Sequence, residues 1–157
     1  MKRRREKTKR ARALRLWDSS EASRAVPYFR SVTGSLREHW LELRNTQHQL
    51  SRLDEQKGPI KRQQLLEQEM RQDDWQRAQT KFDDALKELN GVDVFLLDPI
   101  KGLALIPFRK EDNLAWYVFD HFAPPGLIGW RYHSDPIEAC RPLSTSQDAV
   151  VKDAVPN

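Results

Sequence analysis

A single cysteine, Cys140, stands in the whole sequence, so no intramolecular disulfide can form and a reducing interior suits the chain. Long apolar runs are missing too. The longest, such as Val94 to Leu97 and Leu103 to Ile106, fall far short of the roughly 20 residues that a bilayer-spanning helix needs. There is no Gly-rich phosphate loop and no Gly-x-Ser-x-Gly elbow, which disfavours nucleotide-dependent and hydrolase chemistry. Histidine is scarce, with four residues and none between positions 60 and 90, so a di-metal site shared between two facing helices lacks its second imidazole.

What is present is charge, unevenly placed. The 157 residues hold 27 Lys and Arg against 23 Asp and Glu, a net charge of +4. Residues 1–15 carry nine of the basic side chains and one Glu, giving +8, so the remaining residues sum to −4. The body is acidic and only its leader is basic. That leader has no 7 to 15 residue apolar core of a secretory signal, since arginines interrupt Ala11, Ala13 and Leu14, and the expected location is cytoplasmic. We expect residues 1–16 to be a disordered basic leader, 17–143 a single domain, and 144–157, which has no aromatic residue and no period, a disordered tail.

Within the domain the periodicity changes once. Asp18 and Glu21 have the spacing of a capping box, so a helix is predicted to start there, with a kink or second start near Ala25 because Pro27 follows. The positions Phe29, Val32, Leu36, His39, Leu43, Thr46, Leu50 and Leu53 step by three and four, placing them on one helical stripe beside Trp40. Asp54 to Pro59 breaks the pattern. Residues 60–90 are rich in helix formers, with Leu66, Met70, Ala78, Phe82, Ala85, Leu86 and Leu89 as the apolar side. The two helices are expected to fold back as an antiparallel hairpin over 19–90. After Asn90-Gly91 come four short β-branched and aromatic runs over 92–133, namely Val92–Leu97, Leu103–Phe108, Leu114–Phe119 and Leu127–Tyr132, separated by short turn segments. The predicted class is α+β: a long antiparallel α-helical hairpin followed by a small four-stranded antiparallel β-meander. Leu114–Phe119, apolar on both faces, should be a central strand whose outer face needs a cover.

Several residues in this order have a family look. Asp18-Ser19-Ser20-Glu21-Ala22 leads through Ala25-Val26-Pro27 into a long helix. Later come Asp98-Pro99, Gly102, Trp116, Trp130-Arg131-Tyr132-His133 and Arg141-Pro142. Over residues 14–143 the chain resembles the bacterial domain of unknown function 2203 family, some of whose members are labelled division initiation protein. The resemblance carries the family's recurring Asp, Gly, Trp, His and Arg-Pro onto Asp98, Gly102, Trp116, Trp130, His133, Arg141 and Pro142. The family's Gly-Glu after its first strand tryptophan reads Phe119-Asp120-His121 here, and its Gly-Arg reads Cys140-Arg141. The resemblance implies no defined activity.

Three chemistries can be placed on named residues. The leader, through Arg3, Arg4, Arg5, Lys7, Lys9 and Arg10, could contact nucleic acid non-specifically by releasing counterions. Asp98, Trp116, Trp130, Arg131, His133 and Arg141, with Tyr132, could line a ligand pocket at the strand ends. His133, Asp120 and His121 are the candidates for a metal there, Asp135 and Glu138 lying nearby, because divalent metals favour His and carboxylate sets. His39 and Glu42 share one helical side but lack matching ligands. Cys140 follows no nucleophile signature. No cofactor is implied. The favoured reading is a non-enzymatic interaction or scaffolding module, a homodimer through its hairpin in the manner of a coiled coil. The alternatives are a small-molecule or metal site around His133, with or without catalysis, and polyanion contact through the leader.

Overall fold

The protein is described here as a computed structural model covering residues 13–55 and 58–143. The expected tail and most of the expected leader, with Arg3, Arg4, Arg5, Lys7, Lys9 and Arg10, lie outside the described residues.

The capping box forms as its spacing requires. Asp18 Oδ1 accepts from the Glu21 amide at 2.8 Å, and Glu21 Oε1 accepts from the Asp18 amide at 3.1 Å, satisfying two donors that the first turn would otherwise leave unpaired. Helix α1 (Ser19–Arg24) is short. It stops at Ala25, and α2 (Val26–Asp54) starts afresh with Pro27 in its first turn, where the ring needs no donor and its fixed φ suits the helix. Helix α3 (Arg62–Gly91) returns antiparallel. The hairpin seam buries Phe29, Val32, Thr33, Leu36, Leu43 and Thr46 from α2, and Ala78, Phe82 and Leu89 from α3. Leu66 and Met70, expected in that seam, are exposed at 52% and 64%. The stripe on α3 therefore turns inward only from Ala78 onward.

The sheet is a meander in the order β1-β2-β3-β4, all pairs antiparallel. Its strands are β1 (Phe95–Asp98), β2 (Leu103–Lys110), β3 (Asn113–Asp120) and β4 (Leu127–Tyr132). β2 and β3 run to Lys110 and Asn113, so their connection is only Glu111-Asp112. Both residues have positive φ, 50° and 65°, as a two-residue turn that matches strand twist demands. One face, with Ala104, Ile106, Phe108, Ala115, Tyr117 and Phe119, joins Phe29, Leu36 and Phe82 in the main core. The other gathers Leu105, Trp116 and Val118 with Phe95, Leu97, Leu114 and Leu14.

Leu14 is part of the answer to what covers that outer face, and it moves the domain boundary. The Arg15 amide donates to Asp93 Oδ2 at 2.9 Å and the Trp17 amide to the Pro107 carbonyl at 2.8 Å. Trp17 is buried, and its Nε1 donates to the Val92 carbonyl. Leu14 to Leu16, expected within the leader, thus run against the sheet. Charge composition could not separate them from the arm, because Arg15 is one of its cations.

At the far side of the sheet the chain returns alongside β4. Trp130 and Arg141 exchange two backbone hydrogen bonds in an isolated antiparallel bridge. Gly129 permits the approach, since a Cβ there would overlap the Arg141 carbonyl and the Cys140 sulfur.

Candidate functional site

The six residues expected to line one pocket divide among three places. Trp116, Arg131 and His133 share the outer face. Trp116 pairs with Arg131 across β3 and β4, and Trp116 Nε1 donates to His133 Nδ1 at 3.1 Å. In the tautomer that accepts this bond, Nε2 carries the ring proton. Arg131 is buried, its guanidinium donating to the Asp135 and Pro136 carbonyls at 2.6 and 3.2 Å. It anchors the 133–139 loop rather than reaching for a ligand. Trp130 belongs to the opposite face, because strand side chains alternate, and it packs on the main core. Arg141 lies over the Trp130 and Tyr132 rings at 5.3 and 4.9 Å and forms a bidentate pair with Asp135, both bonds 2.9 Å. Asp98 is elsewhere, its Oδ1 accepting from the Ile100 and Lys101 amides of its own turn. The single pocket expected from these residues does not form.

The expected metal set disperses in the same way. Asp120 Oδ1 accepts from the Phe122 amide, a local turn contact. His121 is wedged against Gly34 and Gly102, where a Cβ on Gly102 would meet the imidazole's own Cβ at 2.6 Å, and its Nδ1 lies 3.1 Å from Thr33 Oγ1. His121 thus joins the 121–126 loop to α2, and Arg30 reinforces the join by donating to the His121, Ala123 and Pro124 carbonyls at 2.7, 3.2 and 3.0 Å. Among the described residues no three His, Cys, Asp or Glu side chains gather into a set able to hold a metal ion. His39 is half-buried and Glu42 exposed. Cys140 has its thiol pKa raised by desolvation, the direction that lowers thiolate content and nucleophilicity.

The Asp135 carboxylate is held well below its ordinary value. The hydrogen bonds from Arg141, then that from the Tyr132 amide, lower it to about 2. Its role is to hold the returning chain against β4.

Two further surfaces stand out. The first is a cleft of about 490 Å³ lined among others by Trp17, Phe108, Tyr117, Trp130 and Lys110. Phe108 and Tyr117 stack there, centroids 3.9 Å apart, and Lys110 Nζ sits 5.0 Å over the Trp130 ring. Of these residues only Trp130 was singled out from the sequence. Strand parity could have found Tyr117, Phe108 and Lys110, since Tyr117 pairs with Trp130 and Phe108 and Lys110 follow on the same face; Trp17 lies on no strand. The second surface is the distal hairpin. From Gln47 to Arg77 no described residue is buried, while Ile60, Leu65, Leu66 and Met70 are exposed at 64%, 53%, 52% and 64%.

No family model matches the chain, and none of the curated proteins or solved structures compared with it matches either.

Proposed function

We propose that the protein is a non-enzymatic interaction or scaffolding module that dimerises through its helical hairpin and presents its sheet as a specific surface. The distal hairpin carries this reading. Two adjacent helices with no buried side chain over residues 47–55 and 58–77 have little to hold them in water, because helices of this kind take most of their stability from packing an apolar face. A second copy supplies that face. The basic leader adds a polyanion-contacting arm to the same module. The dispersal of His133, Asp120 and His121 gives no support to a catalytic or metal alternative. Sedimentation equilibrium of the full chain tests the reading. A mass of twice 18.5 kDa at micromolar concentration is expected; a monomer throughout that range sinks it.

The cleft between Trp17 and Trp130 favours a second reading, the binding of a small planar molecule, since clefts of some 300–1,000 Å³ with aromatic walls suit such ligands. Titration with 1-naphthol, followed by tryptophan emission, should then saturate, and Trp130→Ala should abolish the change. A linear, unsaturable response in the native chain removes this reading.

A further inference from the structure

The exposed side of distal α3 has an order of its own. Arg62, Leu65, Leu66, Glu69, Met70 and Asp73 are all exposed, and their spacing of three and four puts them on one helical face. Leu65 and Leu66 border a shallow groove together with Arg62 and Glu69. Read along the helix, the face runs cation, two leucines, anion, methionine, anion.

Resting on the dimer reading above, we infer that a second copy of this chain docks on this face, α3 against α3 and antiparallel, about a two-fold axis near Glu67 and Gln68. In this register Arg62 meets Asp73 of the second copy and Leu65 meets its Met70, while Leu66 stands opposite its Glu69, each twice by symmetry. Parallel pairing is disfavoured by the same residues, because it sets Arg62 on Arg62, Glu69 on Glu69 and Asp73 on Asp73, and like charges at close quarters are repulsive.

The extent of the contact agrees with where the core is missing. Reversal about this axis places position 58 opposite position 77, so the stretch of each protomer without buried side chains lies along that of the other. Both sheets then stand at opposite ends. Each α3 continues from Arg77 to Gly91, on the order of 20 Å further at 1.5 Å per residue, away from the overlap. Charge also suits a copy of this chain better than a polyanion or an anionic surface. Described residues 41–77 carry Arg44, Arg52, Lys61, Arg62, Arg71 and Arg77 against Glu42, Asp54, Glu55, Glu67, Glu69, Asp73 and Asp74, near balance.

Charge reversal tests the register on the full chain. Arg62→Asp alone and Asp73→Arg alone should each weaken dimerisation by about ten-fold or more, since each creates two like-charge contacts. The double variant Arg62→Asp/Asp73→Arg should return the dissociation constant to within about three-fold of the native chain, because attraction is restored with its sign exchanged. Both substitutions are at exposed helical positions, and circular dichroism will show whether the fold is kept in all three variants. A dimer indifferent to the single reversals, or one that the double variant fails to restore, overturns this register while leaving the dimer itself standing. A monomeric native chain overturns both.

Discussion

Arg30 makes three hydrogen bonds to the carbonyls of one loop and so locks residues 121–124 to α2. Replacing it with Met keeps the aliphatic stem but leaves those acceptors to water, and Arg30→Met is expected to cost about 1–3 kcal/mol, read as a lower urea midpoint with an unchanged slope. In the turn between β2 and β3, Asp112 holds a φ of 65°, which costs a side-chain-bearing residue roughly 1 kcal/mol or more. Asp112→Gly should therefore raise stability by about 1 kcal/mol or somewhat less, glycine's greater unfolded-state freedom offsetting part of the gain. Asp135 sets a pH dependence. Its folded pKa of about 2 lies below the ordinary carboxylate value near 3.9, so its stabilisation is complete above that value and fades as pH falls from about 4 towards about 2. Acid unfolding followed by tryptophan emission should show a shallower loss across that window in Asp135→Asn than in the native chain. Residues such as these explain why the candidate site was only partly legible. Trp116, Arg131 and His133 do lie together on the outer face. Trp130 was grouped with them by sequence adjacency, although strand alternation turns it to the other face.

The elements themselves were largely written in local pattern. The Asp18–Glu21 cap, the break at Ala25 and the strand runs follow from caps, proline and period. Burial along α3 was not legible in the same way. Leu66 and Met70 satisfy the helical period as well as Phe82 and Leu89 do, and a period states which side is apolar without stating what that side meets. The structure gives Phe82 and Leu89 a partner in α2 and the sheet and leaves Leu66 and Met70 exposed. Leu66→Glu should then behave unlike a core substitution. It is expected to leave the unfolding of the sheet-bearing body within about 0.5 kcal/mol of the native chain, while lowering dimer content in sedimentation at a fixed micromolar concentration. Phe82→Ala should do the reverse, destabilising the body by about 3–5 kcal/mol through a core cavity.

For the molecule as a whole, the net charge of +4 divides between a basic arm and an acidic body, and Leu14, near the join, packs on the sheet. Removing residues 1–12 should leave the fold intact and abolish the salt dependence of any binding to a generic polyanion such as poly(dT), because counterion release scales with the cations lost. Equal binding with and without the arm would place that contact elsewhere. At the other end of the molecule, the proposed second copy would cover a distal hairpin with no buried side chain among its described residues. Hydrogen exchange of the backbone amides from Gln47 to Arg77 reads this most directly, measured well above and well below the dimer dissociation constant. Protection of these amides is expected at high concentration and its loss on dilution, with the amides of β2 and β3 unchanged in both. Equal protection of the distal hairpin in dilute monomer would contradict it.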